Sequence, residues 1–380
     1  MAVRRRRSFR IPSASGSSPK TRPRVFADHL HCTPPLPGVL EARRRAEEKL
    51  TGDPLSAAPD GSLLRRHLQR CERVAADFFG ADRCLLCAGG TAAHLAMEAL
   101  CGNGGVSHMV VAEPADLAVL EAARCLAGSG IEAEMRASKG CTGVDHADFS
   151  AALRGPQSLG CLSWGSPTSG VLQPIPQIAA SCAESGAKLL VEASAVAGRL
   201  EVDVSALGVA ALVVRSDSMG ATAGLDLLLL DESMEGFDPV PASFRPDPGV
   251  AAAVEAAVEG LSTGVEPRSR IVSELRDALV ELACRRIDGC RPLADGRNLV
   301  PGAFLLLLEG HVPDSLHARM EAAGLRVADY DSAERLAFLR AAGLDDVPPD
   351  RVVGGCLSPG SSMVDVELFC RSLEGLVKEL

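Results

Sequence analysis

Residues 189–230 read LLVEASAVAGRLEVDVSALGVAALVVRSDSMGATAGLDLLLL. Three short runs in this stretch, 189–192, 211–215 and 227–230, are almost continuously apolar and of strand length. A strand with one wet face alternates apolar and polar residues, whereas an unbroken apolar run fits a strand covered on both faces. Polar or glycine-containing turns separate the runs, and Asp226 interrupts the apolar stretch 225–230.

The same runs recur toward the N-terminus at 84–88, 109–112 and 159–164. Segments of helical period lie between them at 91–100, 117–127 and 175–185, and two more, 38–50 and 62–79, come first. This alternation predicts an α/β protein with a mainly parallel, doubly wound sheet. Composition changes after Asp231: 237–248 is rich in proline and reads as a connection, and a long helical stretch, 250–290, follows. The remainder reads as strand 303–308, helix 315–323, strand 325–328, helix 332–342, strand 352–357 and helix 361–380, a small α+β domain. We therefore expect a basic arm at 1–24, a large domain at 25–237, and a linker helix with a small C-terminal domain at 238–380.

A 380-residue chain that is 47% hydrophobic and 23% charged is globular and large enough for more than one core. No apolar run reaches the roughly 18 residues of a membrane span. The net charge of −10 gives the folded body no general attraction for nucleic acid. Thirteen cysteines, odd in number and without framework spacing, predict free thiols in a reducing compartment. Cys84 and Cys87 form a C-x-x-C with no second pair at zinc spacing, so they read as strand filler. The first 27 residues hold eight basic residues and no acid. That composition fits a mitochondrial transit segment or a disordered basic arm, the one part expected to touch nucleic acid. The expected location is intracellular, cytoplasmic or mitochondrial.

Six stretches carry a further signal through their order and spacing: VFADHLHCTP at 25–34; 71–81 followed by Leu86-Cys-Ala-Gly-Gly-Thr91; GVLQPI at 170–175; LLVEASAVAGRLEVD at 189–203; 207–230; and the spacing from 325–328 to 357–362. Together, over residues 24–380, they resemble the cysteine desulfurases of the class V aminotransferase group. The resemblance implies a PLP-transferase fold of type I, a dimer, and pyridoxal phosphate (PLP) held through a lysine Schiff base.

The residues that the resemblance needs are largely missing. The chain has five lysines, Lys20, Lys49, Lys139, Lys188 and Lys378. Registering on Gly224 puts Ser218 at the lysine position and Asp217 at the preceding histidine; a slip of one puts Met219 there. Neither side chain is an amine that can capture an aldehyde. Lys188 opens a strand, whereas ligands sit beyond the carboxyl ends of parallel strands. The family's ring-binding Asp is Glu192, its ring Gln is Ala195, and its stacking histidine falls in Glu113-Pro-Ala-Asp116, which has no aromatic residue. The Asn of the family's Asn-Glu-x-Gly turn falls on Ser166 or Pro167. Gly89, Gly90 and Thr91 match the phosphate cradle, although such a turn also serves as a plain strand-to-helix connection. Arg215 could meet a phosphate, but we expect it to pair with Glu192, since both end neighbouring strands, and to fill the vacated cofactor position. Asp329-Tyr-Asp-Ser-Ala-Glu334 replaces the family's mobile loop and has no nucleophilic cysteine, and Cys356 reads as core. Gly354, Gly355 and Cys356 stand where a carboxylate-clamping arginine belongs, with Arg351 out of register. Arg245 keeps the arginine of a loop that in the family reaches across the dimer, and it equally fits an exposed linker residue.

The expectation is a cysteine desulfurase-like pseudoenzyme: a non-catalytic scaffold, or a regulatory or partner subunit, acting through protein contacts and without a cofactor. It would form a homodimer or a heterodimer with a related active subunit. The alternative is a diverged enzyme of the same family that binds PLP or another phosphate-bearing ligand.

Overall fold

The structure, a computed structural model, describes residues 25–378 except 31–32, 104, 139–142, 235–236, 239, 242–243, 311, 329–338, 341 and 345. Its centre is a seven-stranded sheet built from β2 (Arg83–Ala88), β3 (His108–Glu113), β4 (Glu132–Ala137), β5 (Ser158–Ser163), β6 (Lys188–Glu192), β7 (Ala211–Arg215) and β8 (Leu225–Leu230). The spatial order is β2-β8-β7-β6-β5-β3-β4. β8 runs antiparallel to both of its neighbours, and the other ladders are parallel. The link from β7 to β8, residues 216–224, is too short for a parallel crossover, which takes about a dozen residues or more. β5 and β8 are buried along their whole length, as expected of the mainly apolar runs at 159–162 and 227–230. β4 is the strand that the sequence reading did not find. It is a polar edge strand, EAEMRA, whose residues alternate between exposed and half-buried from Ala133 on, so it lacks the apolar signature.

Helices cover both faces. On one lie α3 (Ala92–Asn103) and α4 (Leu117–Gly128), packing Ala92, Ala96, Met97, Val119 and Ala123 onto Val111, Cys161, Leu190, Val213 and Leu228. On the other lie α1 (Val39–Lys49), α2 (Pro59–Phe78), α6 (Ile175–Ser185) and α8 (Pro248–Leu261), over Val110, Leu162, Val191, Leu212 and Leu227. Each buried leucine or valine here contributes about 1.5–3 kcal/mol relative to exposure. Short helices α5 (His146–Ala151) and α7 (Val204–Leu207) sit in the connections.

The predicted helical stretch 250–290 is two helices, α8 and α9 (Val265–Arg286). They break at Gly264, whose φ of +128° lies outside the helical range. Beyond them, β9 (Cys290–Pro292), β10 (Ala303–Leu308) and β12 (Val352–Cys356) form an antiparallel sheet in the order β12-β10-β9. β1 (Val25–Ala27) pairs in parallel with β11 (Leu325–Val327), so the opening strand packs with the C-terminal part. α10 (Leu316–Ala322) and α11 (Met363–Lys378) complete this part, with α9, β10 and α11 sharing one core. The helix expected over 332–342 lies almost wholly outside the described residues, as does the arm at 1–24. Among the described residues no helix is long and apolar enough to cross a membrane.

Arg199 ties the two parts together. It is 4% exposed and donates to the carbonyls of His29 at 3.0 Å, Pro301 at 3.1 Å and Leu357 at 3.0 Å.

Candidate functional site

The candidate site lies at the carboxyl ends of β5, β6 and β7, on the face covered by α3 and α4. Strand alternation puts Ser163, Glu192, Arg215 and Asp226 on this face, in phase with Cys161, Leu190, Val213 and Leu228. Glu192 is 3% exposed, and its Oε1 accepts the Ser194 N–H at 3.0 Å. Burial, with Asp116 adding like charge, pushes its pKa up to about 8, so it is mostly protonated at neutral pH.

The expected ion pair between Arg215 and Glu192 is not the one formed. Arg215 Nη1 lies 3.2 Å from Asp116 Oδ2, and Nε lies 3.4 Å from Asp217 Oδ1. The reason is that Asp116 is fixed within reach. Its carboxylate caps α4 by accepting the Ala118 N–H at 2.9 Å, and its own N–H donates to Ser163 Oγ at 2.7 Å. Glu192, held by the Ser194 N–H, acts on Arg215 only through space.

Gly89 and Gly90 are exposed and Thr91 is half-buried, in the turn between β2 and α3. The Thr91 hydroxyl donates to the Ala88 carbonyl at 2.7 Å. The N–H groups that open α3 have a partner from a distant strand: Asp226 Oδ2 accepts from Gly90 N at 2.8 Å and from Ala92 N at 3.3 Å. Asp226 is 3% exposed, and burial pushes its pKa up to about 6 against the opposing pull of these N–H groups. At neutral pH it is an anion sitting where the sequence comparison expected a phosphate cradle. Asp116 and Asp226 are the site residues that the sequence reading missed. The signal for Asp226 was present, since an acid inside an apolar strand must find a donor.

Ser218 lies in the turn Ser216–Met219 that follows β7, 4% exposed, with its hydroxyl donating to the Arg215 carbonyl at 2.7 Å. Residues after β1 pin this turn: Thr33 N–H donates to the Asp217 carbonyl and Leu36 N–H to the Gly220 carbonyl. Met219 is buried in the main core. Lys188 opens β6 at the edge of the sheet opposite Glu192, Lys49 ends α1, and Lys378 pairs with Glu374 on α11. Lys20 and Lys139 lie outside the described residues. Ala195 and Ser166 are buried, and the Ser166 hydroxyl is 3.1 Å from that of Thr168. Arg245 pairs within its own chain, its Nε 2.9 Å from Asp53 Oδ1. Arg351 reaches the Glu309 carbonyl, away from the site. Cys356 is buried in β12, and burial raises its thiol pKa, as it does for Cys84 and Cys87. The Asp329 to Glu334 loop lies outside the described residues. Among the described residues no group of His, Cys, Asp and Glu could hold a metal ion.

Among the described residues the site thus brings the carboxyl groups of Asp116, Glu192, Asp217 and Asp226 near the Arg215 guanidinium. Like charges about 4 Å apart repel by about 4 kcal/mol at an effective dielectric of 20. An incoming dianion meets that repulsion where Asp226 holds the helix amides.

A sequence model of the family described as aminotransferase class-V matches residues 33–241, more than half of the chain. Comparison with curated proteins gave no match. Among solved structures, a NifS-like protein superposes with a TM-score of 0.83 at 15% identity, covering 94% of this chain and 100% of that one. The X-ray structure of a NifS-like protein from Rickettsia africae ESF-5 gives a TM-score of 0.77 at 16% identity, covering 93% and 99%. At these identities the likeness shows a shared fold, that of the PLP-transferases, and with the sequence match it leads to one assignment: the chain belongs to the class V aminotransferase family.

Proposed function

We propose that this chain is a non-catalytic member of its family that does not hold PLP and works as a folded scaffold or partner subunit through protein contacts. The observation that carries the reading is Ser218. Registration of the sequence on Gly224 puts it, or Met219 if slipped by one, at the family's lysine position, and its hydroxyl donates to the Arg215 carbonyl. None of the described lysines stands at the carboxyl ends of β5 to β7.

The described residues do not fit the cofactor. A pyridine ring needs an acid at its nitrogen, and Glu192, at the family's Asp position, is buried with its pKa raised and its Oε1 already accepting the Ser194 N–H. A phosphate needs free N–H donors, and those of Gly90 and Ala92 are taken. We therefore derive no reaction step through PLP. Losing the amine and the free cradle together fits a site relieved of catalytic demand better than the loss of one part would.

The experiment is a titration of the purified full chain with PLP, followed by visible absorbance. The proposal expects no Schiff-base band at stoichiometric cofactor, and a band that saturates at one per chain refutes it. Light scattering, with and without a co-expressed active family member, reads the partner role: a homodimer or a mixed dimer supports it, and a monomer in both preparations counts against it.

A further inference from the structure

At the start of α3 the chain supplies its own anion. The first N–H groups of a helix lack intrahelical acceptors and carry a partial positive charge. A side chain at the helix entrance usually caps them, but here the Thr91 hydroxyl is turned back to the Ala88 carbonyl. The acceptor comes instead from Asp226, 136 residues from Gly90 in sequence. Two features of the fold bring it there. The β8 register sets Asp226 opposite both Cys87 and Arg215, on the face that carries α3. Gly90, at a φ of +82°, turns the chain so that its N–H and that of Ala92 converge on one oxygen.

We infer that the Asp226 carboxylate is a built-in substitute for a ligand's phosphate: it occupies the amides that open α3 and excludes phosphate-bearing small molecules from this edge of the sheet. A phosphate would need the same two donors and would carry its charge against that of Asp226. Among the described residues the turn is open: Gly89 and Gly90 are exposed, and apart from its chain neighbours no atom lies within 4 Å of where a side chain on Gly90 would begin. The residue therefore explains why an open, glycine-lined turn at a helix start is not an anion site.

The inference rests on the proposed function only in taking the cleft to hold no cofactor, and the two failures are distinguishable. A Schiff base in the wild type would refute the proposed function and the inference with it, whereas equal phosphate shifts in the two proteins compared below would overturn the inference and leave the proposed function standing. The test compares thermal unfolding of the wild-type chain and D226G in inorganic phosphate and in potassium chloride of equal ionic strength. Phosphate stabilises proteins generally by exclusion from their surface, so the quantity read is the difference between the two proteins. D226G is expected to gain a saturable stabilisation absent from the wild type. At phosphate ten times the dissociation constant this is about an 11-fold rise in the folded-to-unfolded ratio, or on the order of 1–2 °C. Equal shifts in both proteins overturn the inference. D226N keeps a carbonyl in place without the charge, and its expected gain lies between the other two. If D226G does not fold, D226N decides, and a shift equal to that of the wild type overturns the inference.

Discussion

The Nη1 atom of Arg215 lies 3.2 Å from Oδ2 of Asp116, joining the end of β7 to the helix that follows β3. β6 and β5 lie between those strands, so the pair straddles the carboxyl ends of both, where an α/β protein of this kind receives its ligand. The contact is partly exposed, with 29% of the Arg215 side chain accessible, and is discounted accordingly. R215A is expected to cost about 1–3 kcal/mol, chiefly by leaving Asp116 beside Glu192 without its counter-charge. A double-mutant cycle of R215A and D116N, measured by urea unfolding, should show about 1 kcal/mol of coupling. Additive losses would mean that the bridge contributes nothing.

Glu192 makes the fold sensitive to alkali. Its pKa is about 8 in the folded chain against an ordinary value of 4.5, so the folded state binds the proton more tightly. The stability this confers is complete below the unfolded value and is lost as pH rises through about 8. E192Q cannot ionise and should remove that slope. Unfolding free energies of both proteins between about pH 6.5 and 9 check this, with at most about 1.4 kcal/mol per pH unit at stake for one proton. D116N removes the like charge that adds to burial in raising the Glu192 pKa, so it should lower that pKa and make the total loss of stability with rising pH smaller. Parallel wild-type and E192Q curves would contradict the assignment.

Arg199 should be the most costly polar residue in the molecule to remove. Its guanidinium satisfies three carbonyls from three separate segments and is almost wholly buried. R199A strands all three and leaves a cavity, for an expected loss of about 3–5 kcal/mol. R199K should recover less than half, because a single ammonium cannot span the positions that a planar fork reaches. Urea unfolding of the two variants tests this, and a loss below 1 kcal/mol for R199A would show that the two parts of the chain do not depend on the joint.

Much of this architecture could be read from the chain. The apolar runs near 84, 109, 159, 189, 211 and 227 each became a strand, because residues buried on both faces leave an unbroken signature. The antiparallel sense of β8 was not part of that reading, although the short link that precedes it accounts for it. β4 was hidden because half of an edge strand faces water, whereas the break at Gly264 was signalled by Ser262-Thr263-Gly264 and Pro267 but overridden in the reading by the helical period on both sides. The site was less legible for a different reason. Sequence comparison shows which groups are missing, but not which acids the register brings face to face. Glu192 and Arg215 end neighbouring strands, yet the guanidinium goes to Asp116, whose position depends on an α4 cap and a Ser163 hydroxyl. Asp226 was visible as an oddity in an apolar strand, and its partner became visible only with the β2–β8 pairing.

The proposed function requires that no amine of this chain serve the family's cofactor position. The direct measurement is intact-protein and peptide mass spectrometry after incubation with one equivalent of PLP and reduction with borohydride. Unmodified chain is expected, with only trace, scattered labelling of surface lysines. A stoichiometric adduct at a single lysine, whichever of the five it proves to be, would contradict it.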